Sequence, residues 1–394
     1  MNDITSPPDW DSNLHKSVTD RAAEYARLRE SCPVALGHDT WGVERFWGIM
    51  RYRDIVSVVR DTKAFVNGAS ARLGIRRAPL ESDPPEHGQI RRLLNPLFSP
   101  RAMAAREPVT RAIAEEYVSA FVDRRGGDAI ADIARPVPTQ VLLAWLGQPR
   151  EDWAKIKAWA DAARPQQVFD DQSRRRIQQA EEALWNYSWA LIHDRQTSPR
   201  DGASDPVSAI LGGTLDGRPM PQEHAVGMVR LVLAAGHDST SQSIGIVLHF
   251  LATHPEVQAQ LRTDRSLILA GAEEILRLNS PVVAMPRSVA QEVEIAGRRL
   301  CPGDRTMLYW ASANRDPEIF EDPEEWRLNR GGKPHMVFGN GIHSCAGAPL
   351  ARQELVAVVG ALFDRSADFR LAEKPTLQAM QQYGFATLPL TVTD

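Results

Sequence analysis

The chain has 394 residues, 43% hydrophobic and 24% charged, with a formal net charge of −4. That composition is ordinary for a globular protein, allows a large buried core and excludes a disordered chain. The small net charge gives no global field for nucleic acid or an anionic membrane, and three scattered cysteines, Cys32, Cys301 and Cys345, exclude a disulfide framework.

Met1-Asn2-Asp3-Ile4 lacks the basic start and apolar core of a signal peptide, and no run reaches the roughly 18 apolar residues that span a bilayer. A cytoplasmic protein without a membrane anchor is expected, with roughly residues 1–18 extended or poorly ordered. Apolar residues three and four apart predict a helix over Thr19–Glu30, and alternation predicts a strand over Phe46–Tyr52. In Asp83-Pro84-Pro85-Glu86-His87-Gly88-Gln89-Ile90-Arg91, His87 and Arg91 lie four apart and share a helical face. Further helices are expected over Arg101–Arg124, Glu151–Arg164 and Gln172–Asp194. The loop Gln196–Asp205 is too short for a domain linker, so the whole of 1–394 reads as one domain, mostly α with a minor β-sheet.

Pro221 suits a first helical turn and the next proline is Pro255, leaving about 33 residues for a central helix of roughly 50 Å. Met228 to Gly236 is nearly all apolar, as in a buried helix. The sequence then turns polar, His237-Asp238-Ser239-Thr240-Ser241-Gln242-Ser243. Buried polar groups without partners cost about 2–7 kcal/mol each, so this band marks either a site or a solvent-facing half. Downstream, Glu274 and Arg277 lie three apart on one helical face, the spacing of an ion pair. Strand-like alternation covers Ser288–Tyr309 and, at the end of the chain, Phe385–Val392.

The densest pattern is Phe338-Gly339-Asn340-Gly341-Ile342-His343-Ser344-Cys345-Ala346-Gly347, followed by the helical stretch Leu350–Phe363. Glycines on both sides of a cysteine, leading into a helix, describe a tight turn that presents sulfur at a helix N-terminus, where a thiolate is favoured. One cysteine cannot build a tetrahedral zinc site, but one thiolate is enough for a haem iron; the other reading is a buried structural cysteine.

At these residues the chain resembles the cytochrome P-450 family, whose signature Phe-Gly-x-Gly-x-His-x-Cys-x-Gly is matched at every fixed position. The resemblance implies a single-domain P-450 fold with the long helix over haem b (iron protoporphyrin IX), and Cys345 as the axial thiolate. It places Phe338 near the sulfur, with Gly339 and Gly347 in the same loop, and His343, His87, Arg91 and Arg287 on the haem propionates. It joins Glu274 and Arg277 to Arg330 in a structural charge network, and takes Asn314-Arg315-Asp316-Pro317 as structural.

Ala235-Gly236-His237-Asp238-Ser239-Thr240 resembles the family's Ala-Gly-x-acid-Thr element, except that Ser239 stands where threonine is usual and Thr240 follows. Asp238 is then the candidate proton relay, and Ser239 or Thr240 the hydroxyl that serves dioxygen. Spacing favours Ser239, four residues after Ala235 and able to bond its carbonyl. Walls implied for the pocket include Val168, Phe169, Leu231, Val283, Met285 and Phe385, while Arg72, Arg76 and Arg77 could recruit a carboxylate.

The implied activity is that of a monooxygenase, inserting one atom of dioxygen into a C–H bond of a small hydrophobic substrate. Electrons would come from a separate ferredoxin-type donor with an NAD(P)H-dependent reductase, steered by Arg92, Lys333 and Arg352 to a monomeric enzyme. Peroxide-driven oxygenation or oxidative coupling on the same haem, and a non-catalytic haem-based sensor, are the alternatives.

Overall fold

The computed structural model describes residues 10, 21–38, 45–67, 77–163, 171–378 and 383–393. They are mostly helical with small sheets, and they fall into two compact units. Among them, no helix is long and apolar enough to cross a membrane.

The first unit comprises residues 1–69, 245–345 and 373–388. Its five-stranded sheet runs in the order Val34–His38, Arg45–Ile49, Arg305–Leu308, Met285–Val289, Phe65–Val66. Only the pairing of Arg305–Leu308 with Arg45–Ile49 is parallel, with Thr306 opposite Trp47. Side-chain alternation gives the sheet two apolar faces. Leu36, Trp47, Ile49 and Leu308 pack with Ile55, Val58 and Val59 of the helix Tyr52–Arg60. Ala35, Phe46 and Met50 join a second cluster with Trp10, Tyr25, Leu28 and Tyr309.

The second unit comprises residues 70–244, 346–372 and 389–394. The helix Ala348–Arg365 packs along Pro100–Asp123, and the helix Asp171–Thr197 packs on Gln222–Ala235. Pro100–Asp123 starts where Ser99 accepts a hydrogen bond from the Ala102 amide at 3.3 Å, ahead of a proline in the first turn. Its buried face, Ile113, Val118 and Phe121, repeats at helical spacing.

Several expectations are corrected. The strand expected to reach Tyr52 ends at Ile49, and Tyr52 opens a helix whose buried residues, Tyr52, Ile55, Val58 and Val59, follow a 3.6-residue period. Ser288–Tyr309 is not one alternating stretch but four short strands, turning at Ala296 and Gly297, both with positive φ. The helix expected to run unbroken from Pro221 to Pro255 is two, Gln222–Ala235 and Asp238–Thr253, separated at Gly236-His237. Hydroxyls of the polar band reach back to carbonyls around the break: Ser241 Oγ donates to the His237 oxygen at 2.6 Å and Ser243 Oγ to the Ser239 oxygen at 2.7 Å. The Ser241 amide donates to the same His237 oxygen at 2.9 Å, so these hydroxyls find acceptors on carbonyls without displacing the helical ladder of the second helix.

Candidate active site

In the first unit, the Cys345 loop is built by its own backbone. The Gly339 amide donates to the Met336 oxygen at 3.0 Å, and the Cys345 amide to the Phe338 oxygen at 2.8 Å. Gly339 and Gly341 take φ of 72° and 74°, a left-handed conformation that side chains oppose. At Gly341 a Cβ would also lie 2.8 Å from the Val59 backbone oxygen, so no other residue fits. Gly347, by contrast, has an ordinary φ of −80° at the N-cap of the helix Ala348–Arg365. The turn therefore depends on the glycines before the cysteine and not on the one after it. The Cys345 thiol is exposed, while Phe338 and His343 are half-buried.

Behind this loop lies the charge network, with the geometry its spacing predicts. Arg277 donates through Nε to Glu274 Oε2 at 2.8 Å and through Nη2 to Oε1 at 2.9 Å, and Arg330 Nε reaches Glu274 Oε1 at 2.7 Å. The Arg277 guanidinium lies 5.0 Å from the Phe320 ring centre. Its Nη1 also donates to the backbone oxygens of Asn314 at 2.6 Å and Pro323 at 2.8 Å.

Asn314 carries the connection onward, because its Oδ1 accepts from the Met336 amide at 2.6 Å and its Nδ2 donates to Ser280 Oγ at 2.8 Å. Sequence reasoning noticed Asn314 but missed this link between the network and the start of the cysteine loop. Elsewhere in this unit Arg287 is 8% exposed on the strand Met285–Val289, Val283 and Phe385 are buried and Met285 is half-buried.

In the second unit, His87 and Arg91 share the helix Glu86–Leu94. Burial, reinforced by the Arg91 charge and partly offset by Asp83, pushes the His87 imidazole down to about 4, leaving it neutral at pH 7 in the haem-free chain. On the split helix Ala235 is exposed, Ser239 and Leu231 are half-buried, and Asp238 and Thr240 are buried at 5% and 6% exposure. Ser239 Oγ lies 3.5 Å from the Ala235 oxygen and Thr240 Oγ1 3.5 Å from the Gly236 oxygen, both long for hydrogen bonds. Gly236 allows close packing, since a Cβ there would come within 3.3 Å of the Leu142 methyls.

Val168, Phe169, Arg72 and Arg76 lie outside the described residues. Arg77, expected to recruit a carboxylate, is paired with one of the chain's own: its Nε donates to Glu81 Oε1 at 2.8 Å, and its amide to Oε2 at 2.8 Å.

The donor set fits a haem better than a bare metal ion. Cys345 offers one exposed thiol on a loop shaped by two left-handed glycines, and among the described residues no three His, Cys, Asp or Glu side chains gather to hold a metal. A single exposed thiol on such a loop is the kind of donor that a haem-thiolate protein presents to its iron. The family model described as "Cytochrome P450" matches residues 152–390. A relative from Salinispora arenicola, "Cyclomarin C epoxidase CymV", is 32% identical over 342 residues, covering 84% of this chain and 86% of that protein. Among solved structures, CYP109E1 from Bacillus megaterium with corticosterone superposes with a TM-score of 0.83 at 28% identity, covering 95% of this chain and 98% of that one. A mutant of P450 EryK with erythromycin B gives 0.84 at 26% identity, covering 96% and 98%. The chain belongs to the cytochrome P450 family, and its cofactor is haem b with an axial cysteine thiolate.

Proposed function

We propose that this monooxygenase inserts one oxygen atom into a C–H bond of a bulky, rigid and largely hydrophobic organic substrate, taking electrons from a separate ferredoxin. Of the assigned walls within the described residues, Leu231 and Met285 are half-buried and Val283 and Phe385 buried, and all four are apolar and uncharged. Corticosterone and erythromycin B, bound by related structures, both carry large ring skeletons, a fused carbocycle in the first and a macrolactone bearing sugars in the second.

Haem b, when bound through the Cys345 thiolate, supplies the activation of dioxygen. His87, Arg91, Arg287 and His343 would hold its propionates through charge-assisted hydrogen bonds. Asp238 takes up protons from solvent, and the Ser239 hydroxyl passes them inward and orients the acceptor. The observation that carries this assignment is exposure: Ser239, four residues after the exposed Ala235, is half-buried, whereas Thr240 is buried and turned about 100° away from Ser239 on the helix Asp238–Thr253.

Ser239→Ala and Thr240→Ala separate the two hydroxyls. The protein is reconstituted with a ferredoxin, its reductase and NADPH, using whichever compound of a steroid and macrolide panel shifts the Soret band. Ser239→Ala is expected to lower product formed per NADPH by about 10²-fold, with electrons lost to hydrogen peroxide, and Thr240→Ala to couple like the wild type. The reverse pattern would move the role to Thr240. Full coupling in both variants would end the relay reading.

A further inference from the structure

Trp10 stands far from the cysteine loop in sequence, yet it is 5% exposed in the aromatic cluster on one face of the five-stranded sheet. Its ring meets Tyr309 edge-on at 5.3 Å, and Tyr309 also contacts Tyr25 at 6.0 Å and Phe46 at 6.4 Å. The sheet leaves room for it. A Cβ on Gly37 would lie 3.0 Å from Trp10 Nε1 and 3.0 Å from the Phe46 ring, tighter than ordinary contact. The indole N–H has no hydrogen-bond partner among the described residues, and the ring is held by packing and by the Arg21 guanidinium, 5.8 Å from its centre.

The same cluster contains Val283, with Ala284, Met307 and Tyr383 packed against it. Backbone bonds tie these pieces together: the Ala311 amide donates to the Val283 oxygen at 3.1 Å, and the Tyr383 amide to the Pro281 oxygen at 2.9 Å. Trp10 therefore presses, through Tyr309, on the reverse side of the segment that carries Val283 and leads into Met285 and Arg287. Close-packed interiors pass such displacements on, because they have few voids to absorb them.

We propose that Trp10 is a positioning residue that fixes the Val283 to Met285 wall from behind, so that substrate fit depends on a side chain outside the pocket. The proposal rests on the reading of Val283 and Met285 as substrate walls. Imidazole is small enough to bind the haem iron without touching such a wall, whereas clotrimazole is bulky enough to press on it. Spectral titration of the ferric holoprotein with both ligands gives the test, in Trp10→Ala, Trp10→Phe, Gly37→Ala and Val283→Ala.

Trp10→Ala and Gly37→Ala are expected to weaken clotrimazole about five- to tenfold while leaving imidazole within about twofold. Trp10→Phe, which keeps most of the packed surface and loses no hydrogen bond, should bind both as the wild type does. If Trp10→Ala does not incorporate haem, Gly37→Ala carries the test, since it crowds the same ring without removing it. Wild-type clotrimazole affinity in the Trp10 and Gly37 variants, with weakened binding in Val283→Ala, would overturn the proposal and leave the wall reading intact. Equal weakening of both ligands would also overturn it, by showing a general loss of structure. Unchanged binding in Val283→Ala would remove the wall itself, and the proposal with it.

Discussion

Arg277 makes five hydrogen bonds with a guanidinium that is 1% exposed: two to the Glu274 carboxylate and one each to the carbonyls of Asn314, Pro323 and Glu325. Only a planar fork reaches five acceptors in these directions; an ammonium has three donors on one atom. In Arg277→Lys, Glu274 keeps Arg330 but loses its bidentate partner, and the carbonyls that position Asn314 lose theirs. Breaking a buried pair typically costs about 3–5 kcal/mol, enough to release the segment that anchors Met336. The variant is expected to purify with most of its haem missing, read as the ratio of Soret to protein absorbance. A fully loaded, equally stable Arg277→Lys would show that the network does not support the cysteine loop. The Glu274–Arg277 pair was legible in the sequence because three-residue spacing alone puts both side chains on one helical face. The bond from Asn314 to Met336 was not, since it depends on how two loops fold back on each other.

The elements show the same division. Helices expected over Arg101–Arg124 and Gln172–Asp194 appear as Pro100–Asp123 and Asp171–Thr197, because their apolar period is sustained over many turns. Sheet pairing left no such trace: the parallel match of Thr306 with Trp47 joins residues more than half the chain apart. Nor did periodicity reveal the break after Ala235, because the apolar run continues to Gly236 and the polar band beyond it is itself helical.

The helix Ala348–Arg365 hides a further feature. Glu354 is 1% exposed on it, with Oε2 buried and without a hydrogen-bond partner among the described residues, and burial pushes its carboxyl well above the usual carboxylate range. Because the folded chain binds this proton more tightly than the unfolded chain, the associated stability is fully present below the ordinary glutamate pKa and is lost as pH rises toward the folded value. Glu354→Gln keeps the shape and removes the titration. It should raise the Tm at neutral pH by roughly 2–4 °C and flatten the fall in Tm above about pH 4.5, as followed by circular dichroism. A variant that tracks the wild type across that range would mean that Glu354 ionises freely in the fold.

At the scale of the whole molecule, 46 basic and 50 acidic residues nearly cancel, so any attraction for an acidic electron donor must come from local charge. Arg92 and Lys333 are exposed and Arg352 is half-buried, and the helices of the second unit also expose Val109 and Val356. For the proposed ferredoxin donor, docking on exposed charged and apolar side chains would have two components with different responses to salt. The charged part acts over roughly a Debye length, about 10 Å at 0.1 M, and controls how fast the partners meet; the apolar part is insensitive to screening. If both contribute, the ferredoxin-dependent reduction rate should fall about tenfold between roughly 0.05 and 0.5 M salt and then level off above zero. Arg92→Glu should lower the low-salt rate several-fold and converge with the wild type at high salt, as measured by stopped-flow reduction under carbon monoxide. A wild-type rate independent of salt would assign docking to apolar contact alone. An Arg92→Glu deficit that persists at high salt would instead mean that Arg92 makes a direct contact in the docked complex, where screening has little reach.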